Sequence, residues 1–179
     1  MRITPGKYKG RQIKTPSGIR PTQDKVRKAM FDILGDIEGL SFLELFAGSG
    51  AVGFEAVSRG VKDLTLVEYN RACLLALGKN IESLKAQACE IIPKEADEAI
   101  RLLCRNKARF DIIFLDPPYR KDLVKKTLQT LSAYDILAPD GLIIVQHFKK
   151  DNLPDAPGDL ALFRQARYGD TLLSFYRKG

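Results

Sequence analysis

The 179-residue sequence has one histidine, three cysteines and no long apolar run. Apolar stretches such as residues 112–115 and 142–145 are far shorter than the ~20 residues of a membrane-spanning helix. Cys73, Cys89 and Cys104 are odd in number and widely spaced, which fits neither a disulfide framework nor a zinc site. The first residues lack the apolar segment of a secretory signal. We therefore expect a cytoplasmic protein without a membrane segment or a bound metal.

Hydrophobic residues make up 45% of the chain and charged residues 28%. This composition is ordinary for a globular protein that buries a sizeable core, and it excludes disordered and collagen-like chains. The length fits one domain with at most a short appendage. We find no internal repeat, low-complexity tract or interdomain linker.

The positive charge is concentrated at the N-terminus. The chain carries a net charge of +7, yet residues 1–28 hold nine basic groups and one acid, and the other 151 residues hold 20 basic and 21 acidic groups. Turn formers and β-prone residues separate these charges, which predicts a hairpin or extended loop, a basic arm over residues 1–21. Such asymmetry is typical of proteins that bind polyanions. The alternative is a solvated basic tail.

Beyond the arm, the hydrophobic pattern predicts one α/β domain over residues 22–179. Apolar residues recur at three- and four-residue spacing up to Ile37, which predicts an amphipathic helix with Thr22 as its N-cap and Gly39 as its stop. Continuous apolar strands then alternate with helices, which indicates a mainly parallel sheet covered on both faces. The turn at residues 169–170 predicts a closing hairpin, which adds an antiparallel edge.

A glycine-rich turn follows the first predicted strand. Gly48, Gly50 and Gly53 match the pattern G-x-G-x-x-G, in which glycines allow a tight turn and close approach to a ligand. Alone, this pattern fits a dinucleotide site, another nucleoside site or close packing of helix on strand. Glu68 ends the next strand, where a carboxylate can accept both ribose hydroxyls; the alternative is a solvated acid near a helix N-terminus. Asp97 is either a ligand contact or the N-cap of the following helix.

The fourth predicted strand leads directly into Asp116, Pro117, Pro118 and Tyr119. The prolines stiffen this edge, because each restricts its own backbone and that of the residue before it. The Asp116 carboxylate and the Pro117 carbonyl then stand side by side, beside an aromatic ring. Two acceptors and a stacking face suit an exocyclic amino group on a planar base. The alternative is a plain turn that ends the strand.

These motifs resemble the amino-group methyltransferases that use S-adenosylmethionine, and longer phrases narrow the resemblance to the RsmD family. The phrases are KGR at 9–11, RPT at 20–22, LELFAGSGA at 43–51, EAVSRG at 55–60 and FLDPPY at 114–119. The resemblance spans essentially the whole chain. It implies a Rossmann-like class I fold with a seven-stranded sheet. It also implies methyl transfer to a guanine N2 in 16S ribosomal RNA, free or within a 30S particle.

The resemblance further implies roles for individual residues. The cofactor set is Thr22, Arg27, Glu44, Phe46, Ala47, Gly48, Ser49, Gly50, Glu68, Tyr69 and Asp97. The set that receives the base is Asp116, Pro117, Pro118 and Tyr119, and the RNA-binding set is Lys7, Lys9, Arg11, Lys14 and Arg20. Within the cofactor set, Glu68 would hold the ribose and Asp97 the adenine amino group, while Thr22 and Arg27 would close over the cofactor carboxylate.

Two positions depart from the family pattern. Glu44 stands where an aspartate is expected, which keeps the charge. Gln146 and His147 follow the fifth predicted strand where an acid is expected, and we assign neither a catalytic role at this point.

Three other functions remain open at this stage. An adenine-N6 methyltransferase acting on RNA or DNA would use the same acceptors, because they do not discriminate between planar amines. A dehydrogenase would explain the glycine pattern but not residues 116–119. A non-catalytic RNA-binding assembly factor could keep a vestigial cofactor site.

Overall fold

A seven-stranded sheet forms the centre of the computed structural model, which describes residues 1–18, 23–118 and 121–179. The strands are β1 (Ser41–Leu45), β2 (Asp63–Val67), β3 (Cys89–Ile92), β4 (Phe110–Leu115), β5 (Leu137–Phe148), β6 (Leu160–Tyr168) and β7 (Thr171–Lys178). The helices are α1 (Asp24–Leu34), α2 (Ala51–Ser58), α3 (Arg71–Leu84), α4 (Ala96–Arg105) and α5 (Lys121–Ala133). The strand order is β3-β2-β1-β4-β5-β7-β6. Strands β1 to β5 pair in parallel, and β7 is antiparallel to both of its neighbours.

Both faces of the parallel strands are buried, because successive side chains point to opposite sides of the sheet. On β1, Phe42 packs into a core with α1, α2 and α3. Leu43 and Leu45 pack into a second core with α4 and α5. The predicted α/β architecture and its antiparallel C-terminal pair are therefore confirmed. Among the described residues, no helix has both the length and the apolar character needed to cross a membrane.

Two predicted boundaries were wrong. Helix α1 ends at Leu34, not near Gly39, because Gly35 adopts a positive φ of 71°, a conformation that glycine tolerates and that ends helices. Strand β5 begins at Leu137, earlier than the apolar run suggests, because Leu137 pairs with Phe110 ahead of a register shift. The predicted N-cap of α1, Thr22, lies outside the described residues, and the cap observed is Gln23.

The N-terminal arm forms a short hairpin-like loop that packs on the domain. The Ile3 N–H donates to the Arg11 carbonyl, and Arg2 bridges Gln12 in antiparallel fashion. Ile3, Tyr8 and Ile13 are buried in the same core as α1 and α2. The arm is therefore part of the core on this face of the sheet.

Backbone contacts fasten the arm to helices α2 and α3. The Lys7 N–H donates to the Ser58 carbonyl, and the Tyr8 N–H donates to Ser58 Oγ. The side chain of Asn80 on α3 exchanges two hydrogen bonds with the backbone of Lys14. Because these contacts use the backbone of the arm, the side chains of Lys7, Lys9 and Lys14 remain exposed to solvent. The exposed Arg11 side chain adds a contact of its own by donating to the Ser83 carbonyl of α3.

Candidate active site

A cavity of about 460 Å³ opens at the carboxyl ends of the parallel strands, the edge at which open α/β sheets bind ligands. Its lining comes from the ends of β1, β2, β4 and β5, from the start of β7, and from the segment around the start of α1. The lining residues are Gly18, Gln23, Val26, Glu44, Phe46, Ala47, Gly48, Ser49, Ala51, Glu68, Tyr69, Asn70, Cys73, Asp116, Pro117, Pro118, Gln146 and Thr171. The volume lies within the range of ordinary small-molecule sites.

The turn after β1 runs along the wall of this cavity. Three of its residues have left-handed backbone conformations. Phe46, Gly48 and Gly50 have φ angles of 61°, 55° and 74°. A Cβ on Gly50 would lie 2.5 Å from the Phe54 ring, so this position requires glycine. Gly50 is the N-cap of α2 and stands behind the lining, where it shapes the turn.

The third glycine of the motif, Gly53, allows α2 to approach Glu44. The Gly53 N–H donates to Glu44 Oε2 at 2.8 Å, and a Cβ on Gly53 would lie 2.7 Å from the same oxygen. Burial raises the pKa of Glu44 to about 8, and the negative charges of Asp116 and Glu68 add to the effect. Glu44 is therefore largely protonated at neutral pH in this state of the protein.

Glu68 ties the glycine turn to the end of β2. Its Oε2 accepts the Gly48 N–H at 2.8 Å, and its Oε1 accepts the N–H groups of Tyr69 and Asn70. A carboxylate offers about four lone-pair sites, so these three bonds leave one for a ligand hydroxyl. Asn70 then caps α3 by accepting from the Ala72 and Cys73 N–H groups.

Asp116 comes directly after β4, the neighbour of β1 in the sheet. Gln146 Nε2 on the neighbouring strand β5 donates to Asp116 Oδ2 at 2.8 Å. Pro117 is buried and Pro118 is exposed at the rim. Tyr119, the last residue of the motif, lies outside the described residues.

The lining is acidic. Glu44, Glu68 and Asp116 all face one cavity, and the lining contributed by the described residues contains no lysine, arginine or histidine. Because Glu44 is largely protonated at neutral pH, the negative charge comes from Glu68 and Asp116. Close carboxylates repel an anion and attract a cation. The cavity therefore suits a positively charged ligand and opposes the diphosphate of a dinucleotide. Within the described part of the chain, no group of three or more His, Cys, Asp or Glu residues is arranged to hold a metal.

Ten of the predicted site residues line the cavity: Glu44, Phe46, Ala47, Gly48, Ser49, Glu68, Tyr69, Asp116, Pro117 and Pro118. Two others do not. Arg27 is buried in an ion pair with Glu55, and Asp97 pairs with Lys126 at 2.9 Å. The alternative interpretation of Asp97 as an N-cap was wrong, since Glu95 occupies that position.

Several lining residues were missed from the sequence. They are Gly18, Gln23, Val26, Ala51, Asn70, Cys73, Gln146 and Thr171. Asn70 and Gln146 carried a usable signal, because each follows or ends a predicted parallel strand. Thr171 carried none: it reaches the cavity because β7 runs antiparallel to β5 and pairs Thr171 with Phe148.

Comparison with known protein families gives a match over almost the full length of this chain. The family model described as Conserved hypothetical protein 95 matches residues 1–177. The chain belongs to this family. Ribosomal RNA small subunit methyltransferase D of Escherichia coli is 34% identical over 181 residues, which are 99% of this chain and 90% of that protein. The resemblance to the RsmD family is thereby confirmed.

Solved structures agree with the assignment of the fold. A hypothetical protein of Thermus thermophilus is 31% identical with a TM-score of 0.87, over 99% of each chain. The precorrin-6y C5,15-methyltransferase of Geobacter metallireducens has a TM-score of 0.69 at 17% identity, over 92% of each chain. This second likeness shows the methyltransferase fold alone.

Proposed function

We propose that this chain transfers a methyl group to the exocyclic N2 amino group of a guanine in 16S ribosomal RNA. The protein is a methyltransferase and its cofactor is S-adenosylmethionine. One observation carries the proposal: a single cavity joins the glycine turn and its acidic lining to the Asp116-Pro117-Pro118 edge. The names of the relatives support ribosomal RNA as the substrate.

The charge of the cavity fits this cofactor. S-adenosylmethionine carries a sulfonium and an ammonium group, and the carboxylates of Glu68 and Asp116 face the space beside the protonated Glu44 side chain. Glu44 and the turn at residues 47–50 would line the methionine and ribose portion, and Glu68 would hold a ribose hydroxyl with its remaining lone pair. Tyr69, 62% exposed at the rim, offers a flat face. We assign no cofactor contact to Arg27 or Asp97, because their side chains are engaged elsewhere.

The cofactor supplies a methyl group that is already activated, so the protein needs no nucleophile of its own. Asp116 and the Pro117 carbonyl would each accept one proton of the target amine, which orients the nitrogen lone pair. Orientation of this kind can contribute ~7 kcal/mol or more. The same two acceptors stabilise the positive charge that develops on the amine nitrogen.

The target base must leave its stack to reach this edge, as it does in other enzymes that modify bases. Pro118, exposed beside Asp116, would form part of the surface against which the base lies. The Tyr119 ring is proposed as the stacking face from the sequence motif alone.

The basic arm is the proposed RNA-binding surface. Lys7, Lys9, Arg11 and Lys14 are all exposed, whereas the apolar residues between them face the core. Arg20 lies outside the described residues. Exposed cations on a rigid support suit the phosphate backbone of a large folded RNA, either free or within an assembling 30S particle.

The test offers labelled S-adenosylmethionine and the enzyme to ribosomal RNA that lacks the modification. Protein-free RNA and small-subunit particles are compared, and the methylated nucleotide is mapped by mass. We expect label on the N2 of one guanine. Label on an adenine, or on DNA in preference to both RNA substrates, would overturn the proposal; binding of cofactor without any transfer would indicate an assembly factor.

A further inference from the structure

The side-chain amide of Gln146 has a defined orientation in the cavity. Gln146 lies on β5, adjacent to β4 in the sheet, and its Nε2 donates to Asp116 Oδ2 at 2.8 Å. Because an ionised carboxylate only accepts hydrogen bonds, the amide nitrogen must face Asp116. The orientation of the amide therefore follows from its partner, and Oε1 lies on the other side of the amide.

Oε1 of Gln146 is a buried acceptor without a donor. Gln146 is 8% exposed and lines the cavity. Across the described residues, nothing donates a hydrogen bond to its Oε1. Buried polar atoms are nearly always paired, because an unpaired one loses its hydration without compensation. An orphan acceptor next to the carboxylate that would hold the target amine points to a donor on the substrate.

We propose that Gln146 positions Asp116 and selects guanine, with Gln146 Oε1 accepting the guanine N1–H. This inference rests on the proposed function. Guanine presents its N1–H directly beside its N2 amino group, so two donors meet two neighbouring acceptors. Adenine presents a bare N1 beside its N6 amino group, so a lone pair would face Oε1.

This arrangement would let the site distinguish guanine from adenine, which Asp116 and the Pro117 carbonyl cannot do alone. Those two acceptors suit any planar amine. A third acceptor, on Gln146, is satisfied only by a base with a hydrogen on the ring nitrogen next to that amine. A site with a matched polar group rejects the analogue that lacks its partner, because the protein atom then stays buried and unpaired.

The experiment removes the N1–H from the substrate. The target guanine is replaced by 2-aminopurine, which keeps the exocyclic amine but has a bare N1, in RNA ligated from a synthetic oligonucleotide. The modified RNA is supplied either free or within a small-subunit particle, according to which form the mapping experiment identifies as the substrate. We expect the wild-type enzyme to favour guanine by at least about tenfold in kcat/KM, the scale of one specific base contact.

Two variants test separately whether Gln146 selects guanine and whether it positions Asp116. Gln146→Met has a similar length but no acceptor, and we expect its preference for guanine to fall to within about twofold, the limit at which a substrate–residue coupling is resolved. Gln146→Glu keeps an oxygen at this position but loses the amide donor to Asp116. We expect it to retain the preference for guanine while methylating both bases more slowly.

His147→Gln is the matched control on the same strand. His147 Nε2 contacts Ser174 Oγ at 2.8 Å, and the residue does not line the cavity. Its preference for guanine should equal that of the wild type, and the Kd for S-adenosylmethionine, measured for all variants, reports an intact fold. A Gln146→Met enzyme with the full preference would overturn the proposal, as would a wild type that methylates guanine N2 and 2-aminopurine equally. A wild type that methylates no guanine N2 would instead overturn the proposed function.

Discussion

Arg27 and Glu55 form an ion pair in which both side chains are fully buried, with 2.6 Å between Nε and Oε2. Thr4 Oγ1 donates to Glu55 Oε1, and Arg27 also donates to the carbonyl of Arg2. The pair therefore joins α1, α2 and the N-terminal arm at one point. This partner accounts for the burial of Arg27, for which the sequence had suggested a contact with the cofactor.

Replacing Arg27 with methionine should lower the free energy of unfolding by about 3 kcal/mol, the lower end of the range for breaking a buried pair. The buried Glu55 carboxylate would then keep only Arg59 as a cationic partner, at 3.1 Å. Urea denaturation measures the change. The control is Lys28→Met, at the exposed neighbouring position, which should alter stability by less than about 0.5 kcal/mol. If the two variants were equally stable, the pair would have no structural role.

Replacing Asp116 with alanine should abolish methyl transfer and leave the affinity for S-adenosylmethionine nearly unchanged. The carboxylate is assigned to the target amine, whereas the cofactor is assigned mainly to the turn after β1 and to Glu68. Calorimetric titration gives the Kd for the cofactor, and single-turnover transfer to RNA gives the rate. Equal turnover by the variant would contradict the proposed mechanism.

Glu44 should make the stability of the cofactor-free enzyme depend on pH. Burial raises its folded-state pKa from 4.5 to about 8, so between these values the folded chain holds a proton that the unfolded chain has released. The stabilisation is thus complete below about pH 4.5 and is lost as the pH rises to about 8. Since one pKa unit corresponds to about 1.4 kcal/mol, the loss amounts to a few kcal/mol.

Glu44→Gln tests this linkage, because the amide oxygen can still accept the Gly53 N–H but cannot ionise. Urea unfolding from about pH 5 to about pH 9 should show the variant becoming progressively more stable than the wild type as the pH rises. Glu90→Gln removes an exposed acid and serves as the control for loss of one charge. Parallel pH profiles for wild type and Glu44→Gln would refute the raised pKa.

Local patterns predicted the strands and the acids that end them, whereas contacts between distant segments escaped prediction. The turn at Gly48 and the edge at Asp116 are encoded within a few residues by glycine and proline geometry. Arg27 and Glu55 come together only when α1 packs beside α2. The contact of Gln146 with Asp116 spans thirty residues of sequence and exists only because β5 pairs with β4. The sequence indicated that Gln146 ends a parallel strand, but it did not indicate that Asp116 is its hydrogen-bond partner.

Gly53→Ala should destabilise the protein by about 1–3 kcal/mol, the usual cost of forcing atoms into a packed core. The new Cβ would lie within 2.8 Å of Glu44 Oε2 and of side-chain carbons of Leu64 and Leu66. We also expect weaker binding of S-adenosylmethionine, because α2 and the turn before it must shift. Thermal unfolding and calorimetric titration measure the two effects.

Gly78→Ala is the matched control for this substitution. Gly78 lies within α3, and a Cβ there would meet no other atom within 4 Å. Alanine should therefore stabilise the protein by about 0.5–1 kcal/mol through its higher helix propensity. We therefore predict that the two glycine substitutions change the stability in opposite directions. Destabilisation by both would contradict the prediction.

Neutralising Lys9 and Lys14 should weaken RNA binding and reduce its salt dependence without loss of stability. Both side chains are exposed, whereas Ile3, Tyr8 and Ile13 of the same arm are buried, so substitution tests the charge without removing part of the core. For each RNA phosphate that the variant no longer neutralises, the slope of log K against log salt concentration should become shallower by about 0.7–0.9. The control is the double variant Lys62→Gln and Lys107→Gln, which removes equal charge at two exposed positions near the amino ends of β2 and β4, away from the cavity. Equal slopes for the two double variants would mean that the arm contributes packing alone.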